Sequence, residues 1–192
     1  MKCDCILAGV GGQGVLSIAA IIARAASAAG LVVRQSEVHG MAQRGGAVLA
    51  QLRLADAGET IASDMVPQGG ADLIISMEIL ESLRYLSRLS PLGNLVTAAE
   101  PFINIPAYPE TAELEQAVQS LPSSSLVRAV TLAKEAGHPK AVNMVMVGAA
   151  SPFLPIPADV LEHTIEEVFS AKSPELAEIN KKAFRLGRAQ TV

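Results

Sequence analysis

Two stretches of this 192-residue chain carry residue types from which a site could be built. The first is GVGGQG, Gly9 to Gly14, with four glycines in six positions between an apolar run and an alanine-rich segment. Gly9, Gly11 and Gly14 match G-x-G-x-x-G. In dinucleotide enzymes the first glycine of that pattern makes a tight turn, the second lets pyrophosphate approach the backbone, and the third lets helix pack on strand. Gly12 and Gln13 complete the turn, and the helix expected after it would offer unpaired N–H groups to an anion. Glu37 lies 23 residues past Gly14, close to where a ribose-binding acid would sit, yet one or two residues beyond the strand expected there. Three readings stay open: a nucleotide cradle, a packing turn, or a surface that meets another anion or a partner.

The second stretch is SEVHGMAQRGGAV, Ser36 to Val48. Ser36, Glu37, His39, Gln43 and Arg44 crowd polar groups together, while Gly40, Gly45 and Gly46 permit unusual backbone angles and close approach. Between Arg24 and Arg53 stand four arginines (24, 34, 44, 53) and one acid, a local charge of +3 in a chain whose net charge is −4. A positive field beside a glycine turn suits an anionic ligand. The competing reading is a solvated loop whose arginines pair with acids elsewhere. The loop is expected to follow the second parallel strand, which would set it beside the glycine turn at the carboxyl edge of the sheet, where ligands bind in open α/β folds.

Other candidates are weaker. Cys3 and Cys5, the only cysteines, point to one face of a strand and read as buried, reduced thiols. Two thiols are too few for a four-cysteine iron–sulfur cluster, and His39, His138 and His163 lack metal-site spacing. His39 is of a type that can act as acid or base, but it has no cysteine or serine partner that can be placed beside it; His138 reads as a helix cap and His163 as solvent-facing. Glu78 and Glu81 read as carboxylates favouring the positive end of a helix rather than as an acid–base pair. The acidic balance opposes nucleic-acid binding, which needs a basic face. Arg24 interrupts the longest apolar passage, at an insertion cost of about 2.5–3.5 kcal/mol, so no membrane span is expected. A signal peptide is not expected either, because Asp4 follows Lys2 and the glycine cluster falls where its apolar core should be. The expected location is the cytoplasm.

The elements that must position these residues follow from periodicity. Cys3 to Ala8 predicts a strand, Gly9 to Gly14 the turn, a helix to about Ala29 stopped by Gly30, and a strand from Leu31 to about Gln35. AVLAQLRL alternates, predicting one buried and one wetter face. ADLIISME and GNLVTAAE predict buried strands flanking a helix in ILESLRYLSRL, and three prolines between Pro101 and Pro109 predict an extended loop. The remainder, including SLVRAVTLAKEAG, reads as mostly helical, with Ser173 as N-cap and Pro174 at the first helical position of the last helix. With half the residues apolar, 3% aromatic and no Trp, the core must come from small aliphatic side chains, as in helix-covered parallel sheets. The expectation is one α/β domain over residues 1–192: three α/β/α layers, a mostly parallel sheet, a Rossmann-like glycine-rich first turn and a helical C-terminal part.

GVGGQGV together with SEVHGMAQRGGAV resembles the gamma-type component of the thiamine-diphosphate-dependent 2-oxoacid:acceptor (ferredoxin) oxidoreductases. VHGMAQRGG followed by ADLIISMEILESLRYL is most similar to the beta subunit of the indolepyruvate enzymes in that group, and AVNMVMVGA and INKKAFRLG extend the likeness over nearly the whole chain. The resemblance implies a subunit of a complex that oxidatively decarboxylates a 2-oxoacid with coenzyme A, forming an acyl-CoA and passing electrons through iron–sulfur clusters to ferredoxin. This chain lacks the G-D-G…N thiamine motif and a cysteine ladder, so thiamine diphosphate, magnesium and clusters are expected on companion chains. A homodimer of the isolated chain is the further expectation. On this reading Gly9–Gly14 and Ser36–Gly46 face a ligand or partner, and no catalytic residue is assigned. An NAD(P)-binding dehydrogenase and a non-catalytic assembly scaffold are the alternatives.

Overall fold

The computed structural model describes residues 1–40 and 44–191. Strand β1 (Lys2–Val10) is buried along its whole length after Lys2, which requires neighbours on both edges and layers on both faces. The described residues supply six strands in the order β2-β3-β1-β4-β5-β6, with β2 at Val32–His39, β3 at Ala47–Ala55, β4 at Ala71–Ser76, β5 at Leu89–Ala98 and β6 at Ser124–Val127. The pairs β1–β4, β4–β5 and β5–β6 are parallel; β3 runs antiparallel to both β1 and β2. The sheet is therefore mixed and mostly parallel.

Helices cover both faces. Helix α1 (Val15–Ala28), α4 (Ala129–Ala136), α5 (Val142–Ala150), α6 (Ala158–Ser170) and α7 (Pro174–Arg188) pack with Cys3, Cys5 and Leu7 on one side. The alternate residues of the same strands, Ile6, Ile74 and Leu95, pack with α2 (Ile79–Arg84) and α3 (Thr111–Gln119) on the other. The period-2 alternation of strand side chains thus feeds two cores, giving the α/β/α layering. Helices α5 and α7 approach without side chains between them. A Cβ on Gly148 would stand 1.9 Å from the Phe184 carbonyl oxygen, and one on Gly187 1.9 Å from that of Val145.

The structure corrects four expectations. Strand β2 runs on to His39, so Ser36, Glu37 and His39 are strand rather than loop; pairing with β3, Val32 opposite Ala55 through His39 opposite Val48, holds them extended. Strand β2 is also not adjacent to β1, because β3 lies between them. Strand β3 has no wet face: Gln51 and Arg53 are buried beneath the segment 61–66. Arg53 donates to both oxygens of buried Asp4 (2.8 and 2.9 Å) and to the carbonyls of Ser63 and Met65, and the Gln51 side-chain oxygen accepts from the Val66 amide. Finally, the residues before α4 form β6, paired in parallel with β5, where helix was expected.

Candidate functional site

The glycine turn leaves β1 at the carboxyl edge of the parallel strands. Gly12 and Gly14 have φ of +101° and +81°, left-handed values that L side chains adopt only with strain. Gly14 is the N-cap of α1. Gln13 fastens the turn, its side-chain oxygen accepting from the Val10 amide at 2.8 Å while its Nε2 donates to the Met77 carbonyl at 3.0 Å, just past β4.

The second loop does lie beside this turn, for a different reason than the expected parallel crossover. Strand β3 starts opposite the end of β1, with Ala47 against Val10 and Val48 against Gly9. The Gly11 amide donates to the Gly46 carbonyl at 2.8 Å, and the Gly45 amide donates back to the Gly11 carbonyl at 3.2 Å. His39, opposite Val48, joins Gly11, Gly12 and Gly14 in lining a cavity of about 330 Å³. Glu37 shares the face of His39, since its partner Ala50 packs in the α1-side core. Ser36 does not share it: it pairs with Gln51 and its hydroxyl donates to the Asp64 carbonyl on the opposite face. Arg44 is exposed next to Gly45, Gly40 is exposed after β2, and Gln43 lies outside the described residues.

The positive field is smaller than the residue count suggests. Arg53 is neutralised in the core by Asp4, and Arg24 pairs with Glu167 at 3.0 Å. Arg34 and Arg44 are the two of the four with no ion pair among the described residues, and Arg34, opposite Arg53, lies on the Ser36 face.

A third segment reaches the site that the sequence reading did not single out. The side chain of Asn104 donates to the Gly45 carbonyl at 2.8 Å, and Phe102 and Ile103 beside it are 43% and 72% exposed. Glu78 anchors this segment. It caps α2 by accepting from the Glu81 amide at 2.8 Å, and its other oxygen accepts from the Phe102 amide and the Tyr108 hydroxyl. Burial, followed by the hydrogen bond to Glu78, pushes the Tyr108 phenol well above its ordinary range. Glu81, paired with Arg84 at 3.0 Å, is held above the usual carboxylate range by desolvation, Arg84 pulling the other way.

On the β4 side of the turn a cavity of about 470 Å³ is lined by Gly12, Gln13, Gly14, Met77, Glu100, Phe102, Lys140 and Asn143. Glu100 accepts from the Val130 amide through Oε1 at 3.0 Å, and its Oε2 is buried without a described partner. Asn143 donates to the Gly14 carbonyl at 3.2 Å, and a Cβ on Gly14 would stand 2.3 Å from its Nδ2. Glu100 and Phe102 could have been found from the rule that loops after parallel strands line the ligand edge; Asn143 stood within AVNMVMVGA with no role assigned to it, and Lys140 carried no local signal.

This geometry disfavours a dinucleotide site. The Gly11 amide is used by the second loop, Asn143 leans on the helix start, and Glu37 is two strands from β1, roughly 10 Å at ordinary sheet spacing. Nor do the donors fit a redox centre. The sulfurs of Cys3 and Cys5 are 3.6 Å apart and buried, and their mutual hydrogen bond and burial push the Cys5 thiol up, away from the thiolate that ligates metal. Among the described residues no cluster of His, Cys, Asp and Glu could hold a metal ion, and no helix is long and apolar enough to cross a membrane. His138 caps the turn Pro139–Ala141 by accepting from the Lys140 amide, and His163 is exposed beside Glu167, as expected. Ser173 is the N-cap of α7, though without a side-chain bond.

The chain is 37% identical to the indolepyruvate oxidoreductase subunit IorB of Pyrococcus horikoshii, covering 95% of this chain and 92% of that one. It is 34% identical to the Archaeoglobus fulgidus subunit of the same name, over 100% and 96%. The fold matches the gamma subunit of a keto/oxoacid ferredoxin oxidoreductase from Geobacter sulfurreducens, with TM-score 0.71, 22% identity and 98% of both chains covered. It also matches part of the 2-oxoglutarate:ferredoxin oxidoreductase of Magnetococcus marinus, with TM-score 0.76 and 21% identity, over 99% of this chain and 31% of that one. The family signature described as pyruvate ferredoxin/flavodoxin oxidoreductase matches residues 4–190, and the chain belongs to that family.

Proposed function

We propose that this chain, as one domain over residues 1–192, is a subunit of a cytoplasmic 2-oxoacid:ferredoxin oxidoreductase acting on indolepyruvate or a related 2-oxoacid. The complex would release carbon dioxide, form an acyl-CoA and pass the electrons to ferredoxin. Companion subunits would hold thiamine diphosphate, magnesium and the iron–sulfur clusters. This chain supplies an assembly surface and one wall of the active-site entrance. The observation that carries the reading is the reciprocal hydrogen bonding between Gly11 and Gly45–Gly46, which fuses the two motifs most diagnostic in the sequence into one surface. Exposed Phe102 and Ile103 extend that surface with apolar area, of the kind that marks interaction sites when contiguous.

On this surface Arg44 and His39 place an anion, the carboxylate of the 2-oxoacid or a phosphate of coenzyme A, while the glycines let the partner's backbone approach. The test is reconstitution of the complex with Arg44→Ala and His39→Ala. Raised KM for the 2-oxoacid or for coenzyme A, with assembly intact, is expected. Wild-type assembly with wild-type kinetics for both substrates would refute the assignment. Loss of assembly with normal chemistry in the remaining complex would make this chain a scaffold instead.

A further inference from the structure

A third cleft, of about 400 Å³, shares Lys140 and Asn143 with the cavity on the β4 side of the turn and opens between α1, the start of α5 and the α6–α7 corner. Its apolar part comes from Ile21, Met144, Val168 and Phe169, and its cations are Arg24, Lys140 and Lys172; no Asp or Glu lines it. In a chain of net charge −4 this is a local inversion. Arg24 is already held by Glu167 at 3.0 Å, whereas exposed Lys140 and Lys172 have no ion-pair partner among the described residues. The Lys172 ammonium instead lies over the Phe169 ring, 5.8 Å from its centroid. Asn180 is 6% exposed and also lines the cleft. Its Nδ2 donates to the Leu176 carbonyl at 2.7 Å, a bond that leaves the amide oxygen and one N–H for a ligand.

Small-molecule sites run from about 300 to 1,000 Å³, mostly apolar with a few polar groups that fix orientation. Two unpaired ammonium groups match the charge of one phosphate monoester, about −1.5 to −2 near neutral pH, and lysine binds phosphate as a point charge without a fixed fork geometry. We propose that this cleft binds a small phosphate monoester with a flat or apolar body, of the nucleoside monophosphate class. Lys140 and Lys172 hold the phosphate, and Phe169, Ile21 and Met144 seat the body.

The test is titration calorimetry of the full chain with AMP, adenosine and inorganic phosphate. AMP is expected to saturate one site, and adenosine to bind far more weakly. Lys172→Gln weakens AMP by about tenfold or more, as loss of a charge-assisted contact requires, with an unchanged thermal midpoint. Phe169→Ala weakens AMP but not inorganic phosphate, and Arg44→Ala leaves AMP binding unchanged. No saturable binding at millimolar AMP, or full binding by Lys172→Gln, overturns the proposal. So does loss of binding in Arg44→Ala, which would move the phosphate to the glycine loops.

Discussion

The contact between α5 and α7 makes a prediction that opposes simple helix propensity. Gly148 and Gly187 sit inside helices, where alanine is favoured over glycine by about 0.8–1.0 kcal/mol. On propensity alone, Gly148→Ala and Gly187→Ala should both stabilise. Yet each new Cβ would meet a backbone carbonyl at 1.9 Å, when ordinary contact begins near 3.4 Å. The helices must therefore part by roughly 1.5 Å, and a gap of even 0.5–1 Å forfeits about a quarter to a half of each dispersion contact it opens. Fully buried Val145, Ala149, Ala183 and Phe184 lose packing together. Overpacking costs about 1–3 kcal/mol and occasionally more; with backbone as the obstacle the cost sits at the upper end, so each variant loses about 2 kcal/mol net of propensity. In a chain of this size that lowers the thermal midpoint by about 4–8 °C. Urea and thermal unfolding read it directly, with Gly46→Ala, whose Cβ meets nothing within 4 Å, as the neutral control. One separation relieves both clashes, so the double variant should lose less than the sum. An unchanged or raised midpoint in either single variant would refute the close-packing argument.

Three further outcomes follow from the buried polar groups. Asp4→Ala leaves buried Arg53 uncompensated and should cost about 3–5 kcal/mol in urea unfolding, while Asp4→Leu combined with Arg53→Met recovers much of it. The Glu81 carboxyl has a folded pKa above its unfolded one, so its contribution to stability is present below the ordinary carboxylate pKa and is lost as pH rises through the raised value. Glu81→Gln should flatten stability in that window, measured as the urea midpoint against pH, and an unchanged profile would count against it. Cys3 and Cys5 should react with a thiol reagent only after denaturation, because both are buried and the Cys5 thiol is pushed up by its bond to Cys3 and by burial.

The glycine turn, the continuous burial of β1, the helices α1 and α5 to α7 and the α/β/α class were legible because each rests on a local signal: a glycine pattern, an apolar run, a 3.6-residue period. What escaped was set by distant partners. SEVH has no local reason to continue β2; the register with Leu49–Gln51 and Val48 extends it. The insertion of β3 between β1 and β2 is equally long-range, and it removed the premise that had placed the second loop while leaving its position correct. Residues 124–127 form a strand because β5 offers an edge, not because SSLV prefers one. Gln51 and Arg53 read as wet because polar residues in alternation read so, until a loop supplies their hydrogen bonds. At the site, glycines and a charged loop were visible as types, whereas Asn104, Asn143 and Glu100 are ordinary residues whose importance appears only at the sheet edge.

The hydrogen bonds around the turn show how loops distant in sequence become one surface. Asn104 binds the Gly45 carbonyl, Gly45 and Gly46 bind Gly11, and Gln13 ties the same turn to the end of β4. Glu78, two residues past β4, fixes the segment that carries Asn104 through Phe102 and Tyr108. Each link is a modest contribution alone, about 0.5–1.5 kcal/mol net. Together they close a loop in which no member moves without breaking a bond held by another. The backbone groups of Gly11 are thereby used within the chain, and what faces outward there is bare backbone and the side chains of His39, Arg44, Phe102 and Ile103. Such a surface is suited to shape-matching against a second protein more than to gripping a phosphate by its amides, which is why a glycine pattern shared with nucleotide folds can serve a different end here.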